Sequence, residues 1–359
     1  MLVAIQSARV SIRLESYIYT DGRLGREFRA ALLEAAQRGV RVRVLVDAFG
    51  SWTLPNDFFL PLQLAGGEVH YFNPLRPWSF GVRDHRKLLV CDDGSAFVGG
   101  FNLTDEFDGD GVTHGWCDLG ACITDAPLVG ELAASFDELF ALADFHRKPL
   151  LRLRAFKRKR KVRPAPAAEF LPSHPGRGAS PFQMSLHRDL NRAGDVRIIT
   201  AYFLPTRRVR RLLMRAARHG SRVQLILAGR SDVLVSQLAG RSLYRRLLKA
   251  GVEIYEYQPQ ILHAKLLLVD GAVYLGSSNL DIRSLNLNYE LMLRFHDPVI
   301  AAGAREIFAR TLKLSRRVEP VGWFKIQSWW QRWQQRWARF LLSRIDPFVA
   351  LRQLGSVKK

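Results

Sequence analysis

The feature that most constrains the fold is a motif that occurs twice. The segment DHRKLLVCDDGSAFVGGFN covers residues 84–102, and LHAKLLLVDGAVYLGSSN covers residues 262–279. Each copy places a His two residues before a Lys, then four mostly apolar residues and an Asp, and each reaches an Asn 16 or 17 residues after the His. At average residue frequencies, a chain of this length contains the His-x-Lys-x4-Asp pattern roughly 0.02 times by chance. Two copies therefore indicate an internal duplication.

The segments around the two motifs also repeat in the same order. FRAALLEAAQRGVRVRVLVDAFGS and VRRLLMRAARHGSRVQLILAGRSD each read as an amphipathic helix, a Gly that ends it (Gly39 and Gly220) and a buried strand. Residues 65–73 and 250–258 each predict a Gly turn and a short alternating strand. Helices that alternate with strands predict an α/β fold with crossover connections. Two such halves predict a pseudo-dimer with a quasi-two-fold axis within one chain.

We divide the chain into four segments on this basis. The first α/β half covers residues 1–146 and the second covers 184–300, with a basic and Pro/Gly-rich linker at 147–183 and a helical tail at 301–359. Within the linker, ten of the seventeen residues from 147 to 163 are basic and none is acidic. We interpret this run either as a solvated connection or as a segment that attaches to phosphates.

The linker also contains AAEFLPSHP, residues 167–175, which predicts an edge strand that opens the second half. The first half offers no counterpart, because residue 1 already lies in the helix predicted around AIQSAR. Either the start of the chain was assigned too late or this strand is absent. Its absence would leave an exposed sheet edge near the first motif.

The tail segment WFKIQSWWQRWQQRWARFLLSRI begins at Trp323 and holds five of the eight tryptophans. Its pattern predicts an amphipathic helix with an apolar, Trp-rich face and a cationic face. We expect either an interfacial helix in the lipid headgroup region or a helix that docks its Trp face on the protein's own core. The strongly cationic side favours the membrane. The apolar face is predicted to hold Ile326, Trp330, Trp333, Trp337 and Leu341, and the polar side Lys325, Gln331, Arg332, Gln335, Arg336 and Arg339.

The charge and composition limit the class of partner. The formal net charge is +21 and the isoelectric point is about 10.6, which predicts an anionic partner: nucleic acid, an anionic membrane or a phosphate-bearing substrate. A hydrophobic content of 48% excludes a disordered basic protein. The N-terminal segment lacks the layout of a signal peptide, because Arg9 and Arg13 interrupt any apolar core. We therefore expect a cytoplasmic protein that can lie on a membrane.

The cysteines carry no metal or disulfide pattern. Cys91, Cys117 and Cys122 are odd in number and lack C-x-x-C spacing. We expect small buried side chains in a reducing compartment.

The motif residues suit phosphate chemistry better than metal binding. His85 and Lys87 are two apart and so face the same side of a strand, as do His263 and Lys265. An ammonium beside an imidazole repels a divalent cation and attracts an anion, so we predict neither a metal nor another cofactor. Two such pairs, with Asn102 and Asn279 as further donors, would form an electropositive pocket for one phosphate.

One imidazole could attack phosphorus while the other protonates the leaving oxygen. Each then needs a carboxylate to fix its tautomer, and Asp118 and Glu290, which follow the two motifs in WCDL and NYEL, are the candidates. We include Asp92 and Asp270 among the site residues because they complete the motifs. Each lies an odd number of residues after its His and so faces the opposite side of the strand, which favours a role in bracing the turn.

The paired motifs HRKLLVCD and HAKLLLVD, followed by GGFN and GSSN, resemble those of the phospholipase D superfamily. The wider segments YIYTDGRLGREFRAALLEAAQRGVRVRVLVDAFGS and SSNLDIRSLNLNYEL are most similar to bacterial cardiolipin synthases, especially the type without N-terminal membrane spans. The resemblance implies two phospholipase D-like halves that form one site, and a phosphohistidine intermediate that forms without metal. It implies His85 as nucleophile and His263 as general acid. The family's site residues map here onto His85, Lys87, Asn102, Asp118, His263, Lys265, Asn279 and Glu290.

The resemblance implies a phosphatidyltransferase that makes cardiolipin from phosphatidylglycerol or a related phospholipid pair. Its partners would be anionic phospholipids and the membrane surface, at the cytoplasmic face of the bacterial cell membrane. The alternative is a phosphodiesterase of the same superfamily that acts as a phospholipid hydrolase or an endonuclease. The Trp-Arg tail and the fused halves favour lipid over nucleic acid. A non-catalytic membrane-binding protein is disfavoured, because neither motif lacks a residue.

Overall fold

The structure, a computed structural model, describes residues 1–74, 81–143, 167–176, 178–326 and 328–345. The basic run that we interpreted as a linker, residues 147–163, lies outside the described residues. No helix within these ranges is both long and apolar enough to cross a membrane.

Two mixed sheets form the framework, one from each half of the chain. The first contains β1 (Ser11–Ser16), β2 (Arg41–Asp47), β3 (Glu68–Phe72), β4 (Leu88–Cys91), β5 (Ser95–Gly99) and β6 (Gly120–Ile123). The second contains β7 (Ala168–Ser173), β8 (Asp195–Thr200), β9 (Arg222–Ala228), β10 (Glu253–Tyr257), β11 (Lys265–Val269), β12 (Ala272–Gly276), β13 (Glu290–Phe295) and β14 (Ser315–Arg317).

The strand orders show the duplication directly. The first sheet runs β3-β2-β1-β4-β5-β6, and the second repeats this order as β10-β9-β8-β11-β12-β13, with β14 and β7 added at its edges. In both sheets the first three strands are parallel and the remaining repeat strands are antiparallel. The α/β pseudo-dimer predicted from the repeat is therefore confirmed.

Helices cover both sheets on the outside and fill the space between them. The outer helices of the first half are α1 (Leu2–Ser7), α2 (Arg23–Gln37) and α3 (Leu60–Leu64), and those of the second are α5 (Pro181–Leu190), α6 (Arg207–Arg218) and α7 (Leu234–Leu248). Helices α4 (Ala126–Phe140) and α9 (Pro298–Lys313) lie in the layer between the two sheets. The remaining helices are α8 (Ile282–Asn286), α10 (Pro320–Ile326) and α11 (Trp329–Phe340).

The largest core lies between the sheets and joins the halves. Leu88 and Val90 of β4 point into this central core, whereas Leu89 and Cys91 point into the outer core of the first half. A strand covered on both faces needs apolar residues at every position, which explains the run LLVC after the first motif. The turns that precede β2 and β9 use Gly39 and Gly220 at φ +86° and +88°, which L side chains rarely adopt.

One boundary and the burial of one cysteine differ from the sequence expectations. The second half extends to Arg317, beyond residue 300, because α9 fills the central core as the counterpart of α4 and β14 pairs with β10. The edge strand predicted from residues 167–175 is confirmed, because β7 lies in this part of the linker segment and pairs with β13 at the sheet edge. Among the cysteines Cys91 is buried, but Cys122 is exposed on β6, so the expectation of buried thiols was wrong for that residue.

Behind the first motif the core contains an ion pair that the second half lacks. Arg86 and Glu15 are both buried, and Arg86 Nε lies 2.9 Å from Glu15 Oε1. By strand register, Ile199 and Ala264 occupy the matching positions of the second half. Breaking a buried pair from one side leaves an uncompensated charge, whereas an apolar replacement of both members does not.

The substitution Arg86→Ala is expected to lower the free energy of unfolding by about 3–5 kcal/mol, because it strands the Glu15 carboxylate in the core. The double variant Glu15→Ile/Arg86→Ala copies the second half at these two positions and should recover part of that loss, because Asp84, which matches Leu262, stays buried beside them. Urea denaturation of both variants beside the wild type measures the two values. Equal destabilisation of the single and double variants would contradict this account.

Candidate active site

The two motif histidines lie where the halves of the chain meet. His85 precedes β4 and His263 precedes β11, so each stands at the end of its sheet where β1 or β8 finishes. The backbone N–H of His85 donates to the carbonyl of Tyr289 at 3.0 Å, and that of Tyr289 donates to Arg83 at 2.9 Å. These bonds fix the first motif against the start of β13 in the other half.

The second motif is held by a matching pair of backbone bonds. The N–H of Cys117 donates to the carbonyl of Ile261 at 2.9 Å, and the N–H of His263 donates to the carbonyl of Cys117 at 2.7 Å. Tyr289 is followed in sequence by Glu290, and Cys117 is followed by Asp118. The bridges therefore bring each predicted carboxylate next to the histidine of the opposite half.

The resulting His–carboxylate pairs are crossed between the halves. His85 Nδ1 lies 3.0 Å from the Glu290 carboxylate, and His263 Nδ1 lies 2.7 Å from Asp118 Oδ2. A carboxylate on Nδ1 places the proton there and leaves Nε2 as the atom available to a ligand. Neither half contains a complete pair by itself, so the two motifs form one site.

Both motif lysines are buried beside the histidines. Lys87 Nζ donates to the carbonyl of His85 at 2.7 Å and lies 5.0 Å from the centre of the Tyr17 ring. Lys265 Nζ donates to the carbonyl of His263 and lies 2.8 Å from Nδ1 and 3.2 Å from Nε2 of that residue. Burial disfavours the ammonium form, which lowers the pKa of Lys87 to about 7 and that of Lys265 to about 8.

The same environment acts on the other ionisable groups. Burial and then the Lys87 charge lower the pKa of His85 well below its usual range, and burial and then Lys265 lower that of His263. Burial raises the pKa of Glu290 to about 7. The neutral form of His85 is thus favoured, as a nucleophile requires.

The two carboxylates are accommodated by different neighbours. The Ser277 hydroxyl donates to Glu290, whereas the matching position in the first half is Gly100. A Cβ added at Gly100 would lie 2.4 Å from Asp118 Oδ1, so the Asp carboxylate occupies the space that a side chain would take. Ser277 was missed by the sequence argument, although GSSN in place of GGFN was the available signal.

The two motif asparagines also differ in their hydrogen bonds. Asn102 Oδ1 accepts a hydrogen bond of 3.2 Å from the backbone N–H of Ile18. Asn279 is buried and its side-chain oxygen has no partner among the described residues, which leaves this acceptor available to a donor of a bound group.

Aromatic side chains that the sequence argument did not select surround the histidines. The Tyr17 ring lies 4.8 Å from that of His85, and Phe107, Trp116 and Tyr202 lie 5.1, 5.6 and 6.4 Å from His263. The signal available was position, because Tyr17 directly follows β1 and Tyr202 lies two residues after the end of β8, at the sheet end that carries the motifs. These rings exclude water and strengthen the electrostatic interactions inside the site.

Asp92 and Asp270 do not belong to this site, which corrects their inclusion among the catalytic candidates. Each lies beyond the far end of its strand, in a turn at φ +53° or +54°. Asp92 accepts backbone hydrogen bonds from residues 9–11, and Asp270 from Gly194 and Asp195. This geometry agrees with the turn-bracing role that we expected, since both residues were predicted to face away from the His.

Comparison with known proteins places the chain in a family. A family model described as cardiolipin synthase, PLD-like domain, matches residues 1–140 and 186–312. The chain therefore belongs to the cardiolipin synthase branch of the phospholipase D-like proteins, as its resemblance implied.

Its relatives include named enzymes of that family. It is 31% identical to cardiolipin synthase 1 of Bacillus anthracis over 331 residues, which is 89% of this chain and 65% of the relative. It is 35% identical to cardiolipin synthase B of Salmonella typhi over 314 residues, 82% of this chain and 72% of the relative. The chain thus spans about two thirds of the length of these relatives.

Solved structures share the fold at lower identity. Phosphatidylserine synthase from Haemophilus influenzae Rd KW20 matches with a TM-score of 0.75 at 15% identity, covering 98% of this chain and 92% of that chain. Polyphosphate kinase from Porphyromonas gingivalis matches with a TM-score of 0.56 at 17% identity, covering 89% and 46%. At these identities the likeness concerns the fold alone.

The crossed pairs predict which carboxylate sets the pKa of which imidazole. Asp118→Asn should lower the pKa of His263, because it removes the anion that stabilises the imidazolium, and should change that of His85 much less. Glu290→Gln should lower the pKa of His85 for the same reason and should change that of His263 much less. NMR titration of the assigned histidine ring signals in each variant measures both shifts. A shift confined to the histidine of the same half would contradict the crossed arrangement.

Proposed function

We propose that the protein is a phosphatidyltransferase that makes cardiolipin from two phosphatidylglycerol molecules. The observation that carries the proposal is the pair of buried histidines from opposite halves, each with a carboxylate on Nδ1 and a lysine beside it. Such a site offers two imidazole Nε2 atoms to a single phosphate. Membership of the family supports phosphodiester chemistry, and the relatives' name, cardiolipin synthase, supports a lipid substrate.

In the first step His85 Nε2 attacks the phosphorus of one phosphatidylglycerol. The new N–P bond replaces the P–O bond to the headgroup glycerol. His263, in the imidazolium form that Asp118 stabilises, donates its Nε2 proton to the departing oxygen and becomes neutral. Glu290 stabilises the positive charge that develops on His85. The products of this step are free glycerol and a phosphatidyl group on His85.

In the second step the roles of the imidazoles follow from microscopic reversibility. His263, now without its proton, accepts one from the free headgroup hydroxyl of a second phosphatidylglycerol. That oxygen attacks phosphorus, the N–P bond breaks, and cardiolipin forms. Asp118 holds the His263 ring and stabilises it when it is protonated.

The phosphate charge is balanced by groups that are already in place. Lys87 and Lys265 approach from the two halves with their ammonium groups. Fixed donors in a buried site are stronger than the same groups in water and need no reorganisation during the reaction. Lysines in these positions also leave no role for a divalent cation in the proposed steps.

We further propose that the enzyme acts as a peripheral protein at the cytoplasmic face of the cell membrane. Its net charge of +21 suits the anionic phospholipids of that surface, and its proposed substrates lie there. Anionic phospholipids are thus its proposed partners.

The direct test is incubation of the purified protein with phosphatidylglycerol vesicles, and separately with DNA, in excess chelator, with products resolved by mass. We expect cardiolipin and free glycerol, and suppression of net product by added glycerol, because exchange between similar phosphodiesters is close to balanced. His85→Ala and His263→Ala should each abolish turnover. Phosphatidic acid as the only lipid product would identify a hydrolase. DNA cleavage without a lipid product would identify a nuclease. Turnover that is lost in chelator and restored only by a divalent ion would contradict the metal-free steps.

The buried lysines predict the pH dependence. kcat/KM should fall as pH rises through about 7 to 8, because Lys87 and Lys265 lose the protons that give them their charge in that range. Lys87→Arg keeps a cation at high pH and should move the alkaline limb upward, even if its bulk lowers kcat. A wild-type profile that stays flat well above both pKa values, or an unmoved limb in the variant, would contradict the assignment.

A further inference from the structure

Helix α11 presents its aromatic side chains to solvent. Trp329, Trp330, Trp333 and Trp337 are 76%, 49%, 51% and 53% exposed, and Phe340 is 56% exposed. At about 100° per residue these five positions lie within roughly one third of the helix circumference. The rings of Trp330 and Trp333 stack at 5.0 Å and the Trp329 ring meets that of Trp330 edge-on, so the surface is continuous. We call these five residues the aromatic face.

The opposite side of α11 attaches the helix to the protein. Gln335 and Ala338 are buried, Ala338 lies in the outer core of the second half, and α11 packs along α7. The helix begins with a capping box in which Ser328 and Gln331 exchange side-chain to backbone hydrogen bonds. The aromatic face is therefore held outward by a docked helix, and docking of the tryptophans on the core, the alternative raised by the sequence, is wrong.

An aromatic surface of this size needs a partner. Exposed tryptophans scattered singly are unremarkable, but a contiguous set marks an interaction surface. Trp is enriched at membrane–water interfaces, where its apolar ring and polar N–H are both satisfied.

The charge around the aromatic face identifies the kind of partner. Helices α6, α7 and α11 together carry twelve arginines and no carboxylate. Arg339 of α11 lies near Arg246 of α7, and both lie near Arg210 of α6, whose pKa is lowered first by burial and then by these neighbours. Arg332, Arg336 and Arg339 follow one flank of the aromatic face. Pairing of this surface with a second copy of the chain would bring like charges together, whereas an anionic bilayer complements it.

We infer that the aromatic face of α11 is the surface through which the protein binds anionic bilayers, with the tryptophans in the headgroup region and the flanking arginines on lipid phosphates. The inference deepens the proposed function, because it names the surface by which that enzyme would reach its phospholipids. The helix is a fixed part of the second half, so binding would also fix the orientation of the whole molecule on the membrane.

The test uses the full chain and vesicles of phosphatidylglycerol and phosphatidylcholine. The triple variant Trp330→Gln/Trp333→Gln/Trp337→Gln should bind them about tenfold or more weakly by co-sedimentation, because it removes the interfacial side chains. Brominated lipids should quench tryptophan fluorescence in the wild type and much less in the variant. Leu64→Gln and Val299→Thr, which change apolar residues that are more exposed than these tryptophans and lie on α3 and α9, should bind like the wild type.

A second variant separates charge from insertion. Arg332→Gln/Arg336→Gln should weaken binding to anionic vesicles at low salt and leave weak binding to pure phosphatidylcholine unchanged, whereas the triple Trp variant should weaken both. If the triple variant is poorly folded by circular dichroism, the single substitution Trp333→Gln and the arginine variant carry the test.

Several outcomes would overturn the inference. Wild-type vesicle binding by folded Trp variants would do so, as would the absence of quenching by brominated lipid. A change from dimer to monomer in the Trp variants, with vesicle binding retained, would identify the face as a contact between copies. Vesicle binding is measured without turnover, so a Trp-dependent binder that forms no cardiolipin would refute the proposed function and leave this inference intact.

Discussion

The site depends on the backbone hydrogen bonds that join the halves beside each motif. They fix the segment before Glu290 against His85 and the segment before Asp118 against His263. Because the bonds are between backbone atoms one residue from the functional side chains, the separation of each His–carboxylate pair follows from the packing of two sheets. The central core, which contains residues of both halves, stabilises these contacts. A loosening of the interface would thus separate both pairs at once.

The arrangement also accounts for the buried cations. Two ammonium groups in one apolar pocket are unfavourable, and burial accordingly lowers the pKa of both lysines. Glu290 and Asp118 partly offset this, since each favours the charged form of Lys87 and Lys265. A bound phosphodiester would supply a further anion at the point where the two lysines converge. The pocket is thus arranged for an anionic ligand, and its charges are only partly balanced without one.

Much of this could be predicted from the sequence, and the reasons are local. Gly39 and Gly220 end equivalent helices, and the strands after the lysines are apolar throughout. The two-residue spacing of His and Lys puts both side chains on one face of the strand. The crossing of the carboxylates could not be predicted, because Asp118 and Glu290 reach their partners only through the way the halves face each other. Periodicity also predicted two faces for α11 but not which one docks. Gln335, assigned to the polar side, is buried, and the tryptophans are exposed.

The most direct test of a single site shared by the halves is a crystal structure of the protein with vanadate, which adopts the five-coordinate geometry of phosphoryl transfer. The account predicts one vanadate, bonded to Nε2 of one motif histidine, with Nε2 of the other within hydrogen-bond distance of its apical oxygen, and with Glu290 and Asp118 on the Nδ1 atoms of His85 and His263. A vanadate bound separately in each half, or histidines paired with the carboxylate of their own half, would contradict it.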